Sequence, residues 1–284
     1  AGSSDAIRAS IAAFATPATQ FVIPELTYGD GEFFAKANRL KIVKVPSDRN
    51  TWAIDLAGMR RAVAAYNGPS IVYLVNPNNP TSTIVPSAEV ARWIRSKPRN
   101  TVFIVDEAYA EFVNSPDFRS ADSLVAAGLD HVLVLKTFSK IHAMAGMRVG
   151  YIVGKSENIS KISIFIENDS MTLSYPSVTA ATASMQDAEF LAYSKKSNDE
   201  AKAVYTGVLK ELGLSYLPSE TNFVFHRLNN TSLETFTQRM RDANIIVGRP
   251  FPPAEGWCRV SMGTPDEMRY VAGVMRDFRT KGWV

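Results

Sequence analysis

Cysteine is almost absent from this chain. Cys258 is the only one in 284 residues, which excludes an intramolecular disulfide and any zinc site built on cysteine pairs. Histidine is nearly as scarce: His131, His142 and His226 lie far apart in sequence, so each reads as a structural residue and no metal is expected. No apolar run approaches the roughly 18 residues that a membrane helix needs, and no signal peptide is visible. An excess of one charge is also missing. The 31 basic and 28 acidic residues leave a formal +3, too little to mark a binder of nucleic acid or of a membrane surface. A reducing, cytoplasmic setting is the expectation, with small molecules as partners. What the chain does have is 46% hydrophobic residues, enough for a large core in one long domain or two unequal ones.

Periodicity divides the chain in two. Apolar, β-branched runs at 21–23, 41–45, 70–75, 101–105, 132–135 and 149–153 read as buried strands, and helical patterns fall between several of them. This alternation predicts an α/β fold with a mostly parallel sheet and helices on both faces, over residues 1–190. Beyond it the pattern changes. A helical stripe at Val204, Tyr205, Val208, Leu209 and Leu212, a strand at 222–226, a second stripe at Leu233, Phe236 and Met240, and strands at 245–247 and 258–262 predict a smaller α+β domain over 191–284. The last helix has a clear start: Thr264 as N-cap, Pro265 as its first residue and Glu267 closing a capping box. An Ala/Ser/Thr-rich helix over 171–186 is expected to lead from one domain to the other.

Polar clusters follow the carboxyl ends of the strands. Tyr28 stands at the tip of the loop after the first strand. Asn76-Pro77-Asn78-Asn79-Pro80-Thr81 follows the third, Asp106-Glu107-Ala108-Tyr109 the fourth, and Lys136-Thr137-Phe138-Ser139-Lys140 the fifth. In open α/β sheets ligands bind at that edge. Each cluster alone has a plain alternative, a turn that reverses the chain or a solvated acid; four on one edge argue for a common site. At the chain's start, Gly2-Ser3-Ser4-Asp5 leads into a helical pattern with Ser3 or Ser4 as N-cap, and free amides at such a helix start attract phosphate. An ordinary capped helix is the alternative. Lys140 and Arg148 bracket the connection between the fifth and sixth strands. Together they suit a ligand with an aldehyde at one end, for a lysine amine, and a phosphate at the other, for a bidentate arginine fork.

With NPNNPT at 76–81, DEAY at 106–109, TFSK with Arg148, and CRVSMGT at 258–264, the chain resembles the aspartate-aminotransferase-like enzymes of fold type I that use pyridoxal 5'-phosphate, and within them the histidinol-phosphate aminotransferase branch. The resemblance runs from Gly2 to the last helix. It implies that Lys140 is the Schiff-base lysine, that Asp106 faces the pyridine nitrogen, and that Asn79 and Tyr109 donate to the ring's phenolic oxygen. It further implies that Tyr28 stacks over the ring, and that the phosphate is held by Gly2, Ser3, Ser4, Ser139 and Arg148, with Thr137 as a further candidate. Arg259 is implied as the clamp on the substrate α-carboxylate, with Asn222 beside it. For Arg249 two readings stand level: a substrate phosphate, or a loop cap.

The implied activity is ping-pong transfer of an amino group between an L-amino acid or a histidinol-phosphate-like amine and a 2-oxo acid such as 2-oxoglutarate, in a homodimer. Broad or aromatic amino acid specificity is the nearest variant. The alternatives are another reaction on the same cofactor, such as a β-lyase, decarboxylase or cyclase, and a non-catalytic module of the fold. Two departures from the resembled pattern stand out. Ser82 follows Asn-Pro-Thr where glycine is usual, and the N-terminal segment that precedes Gly2 in such enzymes is not in the sequence, which leaves two expectations: an upstream part outside the given sequence, or a fragment without the full activity.

Overall fold

The computed structural model of the chain describes residues 2–167 and 173–284. Six strands form one sheet: β1 (Gln20–Pro24), β2 (Lys41–Val45), β3 (Ser70–Val75), β4 (Thr101–Asp106), β5 (Val132–Thr137) and β6 (Gly150–Val153). Their order across it is β2-β1-β3-β4-β5-β6. All neighbours are parallel except β5 and β6, which run antiparallel. The central strands are near-continuous runs of Val, Ile and Leu because both faces of a parallel sheet are covered. Against one face lie α1 (Gly2–Phe14) and α2 (Gly29–Ala37), against the other α3 (Leu56–Ala64), α4 (Ser87–Arg95) and α5 (Asp122–Ala126), and α6 (Ser156–Glu167) returns to the first.

Alternate residues of each strand supply the two cores. Val72, Leu74, Phe103 and Val105 meet Met59, Val90 and Ile94 on one side. Ile71, Tyr73, Ile104 and Leu133 meet Ile7, Ile11 and Ile162 on the other. Ile7 and Ile11 are fully buried, each contributing roughly 1.5–3 kcal/mol as an upper bound. That burial seats α1 across the sheet and brings its N-terminus to the carboxyl edge.

A second core lies further along the chain, built by α7 (Tyr175–Gln186) leading to α8 (Ala188–Glu211), then β7 (Phe223–Arg227), α9 (Leu233–Asp242), β8 (Trp257–Ser261) and α10 (Pro265–Thr280). β7 and β8 form an antiparallel pair. Tyr205, Val208 and Leu209 of α8 and Met268, Val271, Met275 and Phe278 of α10 pack on it. The start of α10 has the expected capping box: the Thr264 hydroxyl accepts from the Glu267 amide at 3.3 Å, and the Glu267 carboxylate accepts from the Thr264 amide at 2.6 Å.

Between the lobes sits an aromatic cluster. Trp52 and Leu26 of the large lobe pack with Leu217, Phe225, Phe251 and Trp257 of the small one. Trp52 is 3% exposed and holds a left-handed φ of 52°, an outlier for so large a side chain that surrounding packing has to sustain.

Several sequence expectations are corrected. Ser3 and Ser4 lie inside the first turn of α1, which begins at Gly2, so neither is the N-cap. Residues 245–247 form no strand. The Ile245 amide donates back to Met240 at 2.8 Å, Asn244 turns through a positive φ of 58°, and Ile246 is 88% exposed, so the segment is the exit turn of α9 and not a paired edge. The linking helix starts at Tyr175, with Ser174 accepting from the Ser177 amide at 3.3 Å; positions 171 and 172 of the expected span lie outside the described residues.

Candidate functional site

In this sheet β1 has β2 on one side and β3 on the other, so the strand order reverses beside β1. A crevice opens at such a reversal, at the carboxyl ends of the strands. Tyr28 comes from the end of β1, Asn79 from the turn after β3, Asp106 from the last position of β4, and Ser139 and Lys140 from the end of β5. They line one cavity of about 400 Å3, within the range of small-molecule sites. Ser3 and Ser4 of α1 and Arg148 add to its wall, and Arg249 and Arg259 close it from the small lobe. Four cationic side chains and two carboxylates, Asp30 and Asp106, thus face one space.

Asp106 is 2% exposed. One carboxylate oxygen accepts from the Tyr73 hydroxyl at 2.8 Å, the other from the Ala108 amide at 3.1 Å. Burial pushes its carboxyl up to about 6, against the two hydrogen bonds that favour the anion. Lys140 is moved in the opposite sense. Burial and then the neighbouring Arg259 pull its amine below the usual lysine range, which enlarges the neutral, nucleophilic fraction at a given pH. Its Nζ lies 5.3 Å from the centroid of the Tyr109 ring, and that ring is fixed edge-on against Phe223 at 5.1 Å. Burial likewise pushes the Tyr109 phenol upward, so it stays a hydrogen-bond donor.

Of the three asparagines after β3, only Asn79 faces the cavity. Asn76 exchanges two hydrogen bonds with the backbone of Val85, at 3.0 and 2.9 Å. Asn78 donates to the Leu26 carbonyl at 2.9 Å and accepts from the Thr27 hydroxyl at 2.8 Å, which ties this turn to the loop carrying Tyr28. Asn79 accepts from Arg259 at 2.6 Å. The Arg259 guanidinium also lies over Phe223 and Phe251, at 5.0 and 4.9 Å. Arg249 lies over the same Phe251 ring at 4.6 Å. One phenyl ring therefore positions both small-lobe arginines.

The opposite end of the cavity is the first turn of α1. Amides at a helix start are unpaired within the helix and carry the positive end of its dipole. A methyl group at Gly2 would come within 2.6 Å of the Arg148 guanidinium, and one at Gly150 within 2.9 Å of the Ser3 nitrogen. Glycine at both positions therefore permits the close approach of α1, β6 and Arg148. Arg148 adopts a left-handed φ of 56° and donates to the Ala145 carbonyl at 3.0 Å.

Three residues singled out in the sequence, Gly2, Thr137 and Asn222, are not part of this cavity's wall. Thr137 is 6% exposed, and its hydroxyl serves the backbone, accepting from the Ser139 amide at 3.1 Å. It shapes the turn and is not placed for an anion. Asn222 lies just before β7, where its carbonyl accepts from the Met262 amide at 2.9 Å; it is absent from the cavity wall. Two further residues were missed. Asp30 accepts from the Ser4 hydroxyl at 2.6 Å; its place two residues beyond Tyr28, at the same edge, is the signal that could have found it. Tyr73, inside a strand, read as core.

The donor set tests whether a pyridine ring bearing an aldehyde and a phosphate suits this cavity. It offers a buried carboxylate for a cationic ring nitrogen and a lysine with lowered proton affinity for a carbonyl carbon. At the far end, helix amides and an arginine serve a phosphate. Asp106 has two donors for its four lone-pair sites, so it can still accept. The residues fit the group.

Comparisons with known proteins agree with that fit. The family model described as aminotransferase class I and II matches residues 1–275. A histidinol-phosphate aminotransferase of Moorella thermoacetica is 31% identical over 263 residues, which span 93% of this chain and 67% of that protein. A solved structure from Erwinia carotovora atroseptica, provisionally named a histidinol-phosphate aminotransferase, is 53% identical with a TM-score of 0.96, over 100% of this chain and 81% of that one. A histidinol-phosphate aminotransferase of Sinorhizobium meliloti, solved with pyridoxal-5'-phosphate, is 25% identical with a TM-score of 0.79, over 96% of this chain and 75% of that one.

Proposed function

The chain belongs to the class I and II aminotransferases, enzymes of pyridoxal phosphate, and from that premise we propose that its amino donor is histidinol phosphate or a closely related phosphorylated amine, with a 2-oxo acid as acceptor. The observation that carries this reading is the pair Arg249 and Arg259 on one phenyl ring, in the cavity that also holds Lys140. Two guanidinium forks at one end of a site suit a substrate that carries a phosphate ester on the carbon beside its amine-bearing carbon. They also suit a dicarboxylate in the returning half-reaction.

When bound, pyridoxal phosphate supplies an aldehyde that takes up an amine and a protonated ring that draws electrons from the bonds at the substrate Cα. We assign the remaining work to residues of this chain. Lys140 holds the aldehyde carbon and, once released, carries the proton at Cα. Asp106 holds the proton on the ring nitrogen. Asn79 and Tyr109 donate to the phenolic oxygen, and Tyr28 covers the ring face. The amides of Gly2, Ser3 and Ser4, the Ser139 hydroxyl and Arg148 take the phosphate. Arg259 orients the substrate carboxylate or phosphate, with Arg249 beside it.

Two finer assignments accompany this reading. We place the boundary between large and small domains near residue 190, because α8 carries Ala201, Tyr205 and Leu209 into the second core. We also propose a homodimer, supported by large apolar side chains left exposed near the site, among them Met147, Tyr151, Leu173 and Tyr175. Sedimentation of the cofactor-loaded chain at twice its 31.2 kDa mass would support the dimer, and a monomer would remove it.

The test is spectroscopic. A visible absorption band that appears with pyridoxal phosphate in the native chain and not in Lys140→Ala is expected, bleached by histidinol phosphate faster than by aromatic amino acids. Arg249→Leu should slow that bleaching at least about tenfold for the phosphorylated donor, as expected for loss of a charged hydrogen bond, and less for an unphosphorylated one. Equal slowing for both donors would sink the substrate assignment and leave the cofactor site intact.

A further inference from the structure

Asp106 is bracketed by a residue that the mechanism above does not use. Tyr73 stands on β3, with no exposed surface, stacked on Phe21 at a ring distance of 6.0 Å. Its hydroxyl donates to Asp106 across the β3–β4 pair at 2.8 Å. The ring reaches that position through a space made by α2. A methyl group at Gly31 would fall 2.5 and 2.6 Å from two atoms of the Tyr73 ring, a separation that real side chains do not tolerate. Gly31 is not in a left-handed turn, so conformational freedom does not account for glycine there; the space does. Two positions 42 residues apart are thus matched, one emptied and the other filled.

We propose that Tyr73 is a positioning residue of this site: its hydroxyl, admitted by the missing side chain of Gly31, fixes the Asp106 carboxylate in the orientation and charge state that a cationic ring nitrogen requires. The inference rests on the reading that Asp106 faces that nitrogen. Without the hydroxyl, Asp106 would keep, among the described residues, a single donor, the Ala108 amide on its other oxygen, and the oxygen now held by Tyr73 would lose its partner. Other groups around the carboxylate do not replace this donor. Asp30 from α2 and the adjacent Glu107 oppose its negative charge. Lys140 and Tyr109 both act on it from across the cavity, the lysine in its favour and the phenol as a neutral group. Tyr28 interacts first with Asp30 and Ser4 and more weakly with Asp106. Tyr73 is the neutral donor that lets a carboxylate stay ionised where burial works against it.

The test is a double-mutant cycle on cofactor affinity, measured by absorbance titration of the full chain from pH 6 to 8.5. Tyr73→Phe keeps the ring and its packing and removes only the hydroxyl. It should weaken pyridoxal phosphate binding about tenfold at pH 6, as expected for one hydrogen bond to a charged group, and less at pH 8.5. The acid limb of the affinity profile should move up by about one pH unit. In an Asp106→Asn background the same substitution should cost nothing further. Gly31→Ala, which displaces the ring with its hydroxyl intact, should shift the limb in the same direction and likewise lose its effect in Asp106→Asn. An unchanged profile in Tyr73→Phe, or an equal loss with and without Asp106, would reduce Tyr73 to packing and overturn the inference. Should Asp106→Asn alone bind cofactor as tightly as the native chain, the role given to Asp106 falls, and this inference with it.

Discussion

His226 is the residue whose burial has the plainest consequence for stability. It is fully buried on β7, its ring set edge-on to Tyr205 and Phe236 at 5.8 Å, and among the described residues its Nε2 has no hydrogen-bond partner. Burial pulls its pKa down to about 4. The folded chain therefore keeps this imidazole neutral in a range where the unfolded chain protonates it. Stability is complete above the ordinary value near 6.5, falls as pH drops through that value, and levels off below about 4. The loss amounts to about 3 kcal/mol. Urea unfolding followed from pH 7 to 4 should show this decline, and His226→Phe should flatten it. A decline of the same size in His226→Phe would assign it to other groups. At this scale sequence reading was uneven. Lys140, Asp106 and Arg259 announce themselves as charges next to apolar runs. Tyr73 and Gly31 do not, because their pairing exists only once α2 lies across β3. Ser82 was legible as a departure but not as a conformation: it holds a positive φ of 63° and is fully buried, doing with a side chain what glycine does without strain.

At the scale of elements, the seating of α1 on β6 decides how the anion end of the cavity is made. A methyl group at Gly150 would meet the Lys136 carbonyl at 2.8 Å, the Ser3 nitrogen at 2.9 Å and the Gly2 carbonyl carbon at 3.1 Å. All three are backbone atoms, which cannot swing aside as a flexible side chain would. Gly150→Ala should lift the first turn of α1 from the strand, costing about 1–3 kcal/mol in urea unfolding. It should weaken pyridoxal phosphate binding by at least about tenfold while leaving the loaded Lys140 band at its native wavelength. Elements with two independent signals were read well from sequence. Among them are α10, with both cap and apolar stripe, and the strands of the sheet, with both composition and following turns. The segment at 245–247 had composition alone, and the C-terminal turn of α9 claimed it.

For the whole molecule the question is how two lobes act as one. Their shared aromatic cluster is entered from the large lobe by Trp52, strained at φ 52°. Removing it should cost about 3 kcal/mol, the cavity exceeding the relief of strain. The lobes hold separate cores, so Trp52→Ala should also loosen their coupling. Unfolding followed by far-UV circular dichroism and by tryptophan fluorescence, which coincide for a single cooperative unit, should then separate. Coincident curves in the variant would show that the rest of the interface suffices. None of this joint was foreseen from sequence, because its members come from segments far apart in the chain, and pattern within a segment carries no information about contact between segments.

The connection from β5 to β6 has a practical consequence. Lys140 and Arg148 stand at its two ends, and Ala143 and residues 145–147 between them are exposed. Lysine and arginine are also the residues after which trypsin cuts. A ligand that occupies the amine of one and the guanidinium of the other would hide both cleavage points at once. Brief tryptic digestion thus becomes a gauge of occupancy that needs no chromophore and no turnover: rapid scission between β5 and β6 in the free chain, and protection that rises with cofactor concentration.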